Sequence, residues 1–309
     1  MYETDKIAVL MASYNGERFI GEQIDSLLTQ SCTEWELLIH DDGSQDRTQQ
    51  IIDVYARNNP TRIHVVPGLP CGGAKNNFFF LMKQVRAPYI MFCDQDDIWK
   101  REKIEKTISR MKEMEEQNGP ETPILVFTDL SVVDGELNPI ADRLSVYQKL
   151  FPDRTQLENL MIQNVISGCT MMINRPLADL AVKPENADNI IMHDWWCALV
   201  AASFGRISFV NLPLMLYRQH ENNTLGAKKL ESAHYILERL QNQREIKLSL
   251  VATQKQIALF AETYGLSDPV LKEYGKLYKR NKLQRLFFYR KHHIRKCGWK
   301  RNLGLLIWG

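Results

Sequence analysis

The sequence predicts an α/β fold: a mostly parallel central sheet with helices on both faces, followed by a basic, helical C-terminal extension. Three observations predict it. Uninterrupted apolar runs at Lys6 to Ser13, Trp35 to His40 and Tyr89 to Cys93 read as strands buried on both faces, as in parallel sheets. Segments with helical apolar spacing separate them, which predicts right-handed crossovers and a doubly wound sheet. Each run ends in polar or acidic residues, and in open α/β sheets ligands gather at the carboxyl ends of the strands.

Taken in order, Lys6 to Ser13 breaks at Tyr14-Asn15-Gly16, after which Phe19, Ile20, Ile24, Leu27 and Leu28 recur at helical spacing. The second strand ends in Asp41-Asp42-Gly43-Ser44, and Gln45 to Arg57 repeats Ile51, Ile52 and Tyr55 as a helix. Ile63 to Val66 is a short third strand. Gly72-Gly73 opens a loop into a helix over Asn76 to Val85, ahead of the fourth strand, Tyr89 to Cys93. Glu102 to Gln117 is a charged helix ended by Asn118-Gly119-Pro120, and Ile124 to Asp129 is a further strand. Asp134 to Phe151 reads as loop with some helix, and Val165 to Asn174 as a strand containing Gly168. His193-Asp194 precedes an apolar helix, Trp195 to Phe204. Ile207 to Tyr217 is extended and leads to Arg218-Gln219-His220. From Leu230 the pattern is helical, and a composition shift near Gly226 divides residues 1–226 from an extension, 227–309.

A chain of 309 residues can bury one large core and carry an appendage. With 44% apolar and 25% charged residues, its composition is that of a soluble globular protein. The net charge of +2 hides an asymmetry: after Glu273 there are eleven Lys and Arg and no acid. Setting those aside, 28 basic residues face 37 acidic ones, a net −9. A body that acidic is a poor nucleic-acid binder, and the basic tail is a separate matter. The six cysteines show no paired or zinc-binding spacing and suit a reducing cytosol. The N-terminus has no signal-peptide apolar region, and no uncharged run approaches the roughly 18 residues of a spanning helix.

Asp94-Gln95-Asp96-Asp97 sets three carboxylates directly after the fourth strand. A helix start, with Asp97 as N-cap, accounts for one of them. Three crowded together repel one another unless a cation sits among them, and hard oxygen ligands suit Mg2+ or Mn2+, with phosphates completing the coordination. Asp41, after the second strand, can accept from a ribose or a base N–H. The first turn lacks the G-x-G-x-x-G that admits a dinucleotide's pyrophosphate. Such a site is built for a nucleotide diphosphate held through a divalent cation, not for NAD.

Ala12-Ser13-Tyr14-Asn15-Gly16, Asp41-Asp42-Gly43-Ser44-Gln45-Asp46-Arg47-Thr48 and Asp94-Gln95-Asp96-Asp97-Ile98-Trp99 together resemble family 2 glycosyltransferases of the GT-A fold. Within that family the resemblance is greatest to bacterial rhamnosyltransferases of cell-surface polysaccharide assembly, and it spans about Lys6 to His220. It implies that Asp41 reads the N3–H of uracil or thymine, with Tyr14 against the base and Ser13 and Asn15 at the nucleotide. It implies Asp96 as the metal ligand, with Asp94 at the ribose, at metal-bound water or at the metal itself. Lys75 stands where many relatives carry an Arg for a phosphate contact, and His220 where a histidine completes the metal shell or meets the diphosphate. Asp194 resembles the acid of the family's E-D motif, with His193 in place of the usual Glu, which makes it the base for the acceptor hydroxyl; it can also serve as a helix N-cap. Trp195 and Trp196 offer aromatic faces to a sugar, with burial expected of at least one. Gly168 admits backbone close to the donor or acceptor sugar. Asp42 and Asp46 read as structural.

The implied activity is metal-dependent, inverting transfer of a sugar from a dTDP- or UDP-linked donor, with L-rhamnose from dTDP-L-rhamnose as the expected case, to a polysaccharide or lipid-linked glycan. A nucleotidyltransferase is the enzymatic alternative, although Ala12 to Gly16 lacks its Gly-rich basic signature; a non-catalytic nucleotide-sugar-binding protein is the other. The tail from Leu283 interleaves basic with apolar residues, as helices at membrane surfaces do. Packing on the catalytic domain and RNA binding are the competing readings. The expected location is cytoplasmic, peripheral on the inner face of the cell membrane.

Overall fold

The structure, a computed structural model, describes residues 6–220 and 243–308. The boundary expected at Gly226 and the helical start expected at Leu230 lie outside the described residues. Strands β1 (Ile7–Ser13), β2 (Trp35–Asp41), β3 (Ile63–Val65) and β4 (Tyr89–Asp94) lie parallel in the order β3-β2-β1-β4. The sheet continues through β8 (Met171–Asn174), β6 (Ile124–Val133), β9 (Arg206–Arg218) and β5 (Ile98–Trp99), with β7 (Pro139–Ala141) beside β6. β8 is antiparallel to both its neighbours, so β6 and β9 keep the direction of β1 to β4. The sheet is therefore mostly parallel, with β5, β7 and β8 reversed.

Alternation along the strands feeds two apolar layers, which is why the runs are apolar throughout. Ala8 and Leu10 join Ile90 and Phe92 on one face, under α3 (Ala74–Gln84), α7 (Arg175–Ala181) and α8 (His193–Phe204). Ile7, Val9 and Met11 join Met91 and Cys93 on the other, under α1 (Ile20–Leu28), α2 (Thr48–Asn58) and α4 (Lys103–Asn118). The 134–151 segment holds β7 and a single turn, α5 (Leu144–Tyr147).

The expected strand Val165 to Asn174 is corrected. Gly168–Thr170 form a 3-10 turn, and only Met171–Asn174 pair in the sheet. Because β8 runs backwards, its beginning, not its end, lies at the carboxyl edge of β4, and that places Gly168 beside the strand ends of the parallel half.

The C-terminal helices are α9 (Gln243–Thr263), α10 (Pro269–Tyr274), α11 (Lys282–Lys291) and α12 (Trp299–Trp308), and α9 packs against α8. Ile257 and Phe260 of α9 are fully buried in the same apolar layer as the sheet, and the Phe260 ring meets Trp196 of α8 edge-on at 5.4 Å. Phe288, Tyr289 and Leu305 extend that layer. Packing on the sheet domain, one of the readings weighed for this segment, describes its inner side. Among the described residues no helix is long and apolar enough to cross a membrane.

Candidate active site

In-register parallel pairing brings the strand ends together: Ser13 lies opposite Asp41, and Ala12 opposite Asp94. A cleft of about 1090 Å³ opens along this edge and is lined by Ser13, Tyr14, Asp94 and Asp96 on one side and by Gly168, Asp194 and Trp195 on the other.

At the first end, the buried Ser13 hydroxyl donates to Asp41 Oδ1 (3.0 Å), and the Ser44 N–H donates to Asp41 Oδ2 (2.8 Å). Each carboxylate oxygen can accept two bonds, so Asp41 Oδ2 keeps capacity for another donor, although Asp41 lies behind the cleft-lining residues and not among them. Tyr14 is 54% exposed and presents its ring to the cleft. Its backbone is locked by Gln95, whose amide accepts from the Tyr14 N–H (2.9 Å) and donates to the Tyr14 carbonyl (2.8 Å). Asn15, at φ 47°, uses its side chain to accept from the Gln45 N–H (2.8 Å), tying the first turn to the second. It braces the turn after β1 and is not among the cleft-lining residues. Asp42 lines the cleft yet is structural, as expected, because it accepts backbone N–H groups from Cys71, Gly72 and Gly73.

Lys75 is a correction. Its ammonium donates to the carbonyls of Ala187 (2.7 Å) and Ile190 (3.0 Å), and it is not among the cleft-lining residues. The expected phosphate contact is replaced by a clamp on the segment ahead of α8.

The acid cluster occupies the middle. Asp94 and Asp96 open into the cleft; Asp97 is fully buried and accepts the Arg218 N–H (3.1 Å). His220 arrives through the pairing of β5 with β9, and its Nε2 lies 2.8 Å from Asp96 Oδ2. This contact sets the His220 ring directly beside a carboxylate expected to hold a metal. Burial, then the charges of Asp96 and Asp194, push the Asp94 carboxyl up to about 7. Burial pushes Asp97 up as well, and its Oδ2 has no partner among the described residues. Oxygen donors crowded at this density, with one buried oxygen unsatisfied, fit a hard divalent cation. Asp94, Asp97 and Cys169 also bring ligand atoms within 4.8 Å of one another, but burial holds the Cys169 thiol protonated, so the carboxylates are the better donors.

Two residues of this region escaped the sequence reading. Arg218, 2% exposed, donates to the Asp96 carbonyl (3.1 Å) and pairs with Glu22, fixing the loop that carries the acids. Lys103, fully buried beneath the cluster, donates to the Cys169 carbonyl and lies 3.9 Å from the centre of the Trp99 ring. Burial lowers its pKa to about 8. It is a built-in counter-charge for Asp94 and Asp97.

At the far side, Asp194 sits in the first turn of α8. Its Oδ2 accepts the Gly168 N–H (3.0 Å), its Oδ1 accepts the Trp195 N–H, and burial raises its pKa to about 7. His193 lies between the rings of Phe78 and Phe92, with neither nitrogen partnered among the described residues, and burial lowers its pKa to about 3. It is a neutral spacer where the resemblance expected an acid. Trp195 lines the cleft with its indole N–H on the Leu160 carbonyl (2.6 Å), whereas Trp196 is buried.

Gly168 lines the cleft and also leaves room for neighbouring side chains. A Cβ there stands 2.7 Å from His193 Nε2 and 3.4 Å from Asp194 Cβ. Gly168→Ala is expected to destabilise the fold by about 1–3 kcal/mol in urea titrations. It should also lower turnover by about tenfold or more through displacement of Asp194.

The Glycosyl transferase family 2 model matches residues 8–179. The dTDP-rhamnosyl transferase RfbG of Shigella flexneri is 32% identical over 238 residues, 73% of this chain and 76% of that one. The UDP-Glc:alpha-D-GlcNAc-diphosphoundecaprenol beta-1,3-glucosyltransferase WfgD of Escherichia coli is 26% identical over 206 residues, 66% of this chain and 73% of that one. Among solved structures, S. aureus TarS 1-349 in complex with UDP-GlcNAc has a TM-score of 0.56 at 18% identity, covering 93% of this chain and 79% of that one. The mannosyltransferase PcManGT from Pyrobaculum calidifontis, in complex with GDP-Man and Mn2+, has a TM-score of 0.53 at 14% identity, covering 98% and 85%. At these identities the two structures share the fold.

Proposed function

This chain belongs to glycosyl transferase family 2, a GT-A enzyme acting on nucleotide sugars, and from that premise we propose that it moves L-rhamnose from dTDP-L-rhamnose to a lipid-linked glycan with inversion. The observation that carries the reaction is the placement of Asp194 in one cleft with Asp94 and Asp96, close enough for its charge to bear on Asp94. The relationship to a dTDP-rhamnosyl transferase supports the sugar, and the relationship to a diphosphoundecaprenol-dependent glucosyltransferase supports the acceptor class. The relatives' activities support a place in polysaccharide biosynthesis, and in this reading the protein works on the cytoplasmic face of the membrane.

In this reading Tyr14 packs on the thymine, and Asp41 Oδ2 accepts its N3–H. Asp94 and Asp96 would hold Mg2+ or Mn2+, with His220 and Arg218 fixing Asp96 and its loop at the cleft. The cation supplies positive charge for the departing diphosphate. Asp194 is the base: as the acceptor oxygen attacks the anomeric carbon, its proton passes to the carboxylate, and the carbon–oxygen bond to phosphate breaks with its electron pair on dTDP. The Gly168 and Trp195 N–H groups hold Asp194 in the accepting orientation, and a pKa near the working pH suits a group that gains and sheds a proton each cycle. Trp195 faces the sugar.

The test is consumption of a panel of dTDP- and UDP-sugars, with membrane lipid extract as the acceptor source and Mn2+ present. The expected result is that dTDP-L-rhamnose is consumed fastest and yields a glycolipid product. Preference for another nucleotide sugar overturns the donor assignment; consumption of none overturns the catalytic reading.

A further inference from the structure

We propose that the outer face of α11 and α12 docks the protein on an anionic lipid surface beside the acceptor end of the cleft. The docking face stands on its own observations; only its link to acceptor delivery rests on the glycosyl-transfer reading.

On α12, Trp299, Leu303, Leu306 and Ile307 recur at i, i+4, i+7 and i+8 and are 72%, 47%, 56% and 46% exposed. On α11, Leu283 and Phe287 are one turn apart and 79% and 69% exposed. The two sets are neighbours, because the Lys282 ammonium at the start of α11 donates to the Ile307 carbonyl near the end of α12 (2.8 Å). A soluble monomer rarely leaves six large apolar side chains grouped in water. Exposed Lys282, Arg290 and Lys291 flank them, and no acid occurs after Glu273. Apolar side chains rimmed by cations match the boundary of an anionic bilayer. They match a second copy poorly, since an isologous pairing would bring the same cations face to face.

The opposite side of α12 points inward. Arg301 and Leu305 are buried there; Arg301 donates to the carbonyls of Gln148 (2.8 Å) and Lys149 (3.1 Å), and with Lys296 it lines the cleft. The route back to the base is short: Trp195 bonds the Leu160 carbonyl, and Gln163, one turn on, accepts the Cys297 N–H (2.7 Å). One helix, about 10 Å across, thus separates the exposed apolar face from the far end of the cleft. A bilayer seated on that face lies next to the site where a membrane-borne acceptor would enter.

The test is co-sedimentation of the full chain with vesicles of about 30% phosphatidylglycerol in phosphatidylcholine, and with pure phosphatidylcholine vesicles. Wild type is expected to sediment with the anionic vesicles about tenfold better than with the neutral ones, and less so in about 0.5 M NaCl. Phe287→Glu with Leu303→Glu should lose that binding by about tenfold or more, with an unchanged melting temperature and unchanged nucleotide binding; Trp299→Ala is a milder second variant. Failure of wild type to sediment with anionic vesicles overturns the proposal. So does binding that the double variant retains, or a concentration-dependent dimer in light scattering that the double variant loses while vesicles go unbound. Vesicle binding without sugar transfer leaves the docking face intact and sinks the enzymatic reading. Transfer to soluble acceptor without vesicle binding does the reverse.

Discussion

Asp194→Asn is expected to lower kcat by about 10³-fold, within the range a positioned general base supplies, while the protein becomes more resistant to urea at about pH 8. The two effects share one cause. Burial raises the carboxyl from its ordinary value of 3.8 to about 7, and the cleft that makes it a useful base also makes its charge costly. Between those values the folded protein keeps a proton that the unfolded chain has released, so stability falls as pH rises through the window. Above about 7 the full penalty is present, at most roughly 4 kcal/mol at 1.36 kcal/mol for each pKa unit. Asparagine carries no charge and escapes the penalty. The variant's advantage in urea should be largest at about pH 8 and vanish near pH 4. For the wild type the same carboxyl places the acid limb of kcat/KM at about 7, with activity falling about tenfold per unit below it, since only the ionised form can take the acceptor's proton. An Asp194→Asn enzyme with near-normal rate would remove this residue from the mechanism.

Asp96→Ala is expected to cost about 10³-fold in turnover, the order of several kcal/mol of charge stabilisation at a leaving diphosphate. The fold should survive, because the substitution removes one of the like charges bearing on Asp94 and Asp97. Mn2+ should raise the melting temperature of wild type and leave that of the variant unmoved, as binding to the folded state requires. His220→Asn is the graded control. It keeps the carboxylate and removes the group that orients it, so about 10- to 100-fold is expected, as for other outer-shell partners. A His220→Asn loss as large as that of Asp96→Ala would make the histidine a ligand in its own right.

The parts of the site that the sequence revealed are those encoded locally. A buried strand followed at once by acids is written in consecutive residues, so Ser13, Asp41, Asp94 and Asp96 could be placed on one edge before any coordinates. Gly168 and its turn could not, because the reversal of β8 is decided by what packs beside β4 and not by Val165 to Asn174 itself. Lys103 opens a helix with charged residues throughout, which predicts solvent; only the fold turns that one side chain inward under Asp94 and Asp97. Lys75 was placed by resemblance alone, and the carbonyls it clamps lie 112 and 115 residues away. Of the three readings of the C-terminal segment, lipid surface, packing and RNA binding, the sequence alone could not choose, because its helices carry two apolar sides. The inner one, with Phe288, Tyr289 and Leu305, joins the core; the outer one remains exposed.

Calorimetric titration of dTDP-L-rhamnose into wild type, Asp194→Asn and Asp96→Ala, each with and without Mn2+, separates donor binding from catalysis. Affinity should depend on Mn2+ in wild type and be kept in Asp194→Asn, whose defect lies in the proton step, while Asp96→Ala should lose the metal dependence. Equal affinity with and without Mn2+ in wild type, or an Asp194→Asn protein that no longer binds the donor, would contradict a cation held at the end of β4 opposite a base in α8.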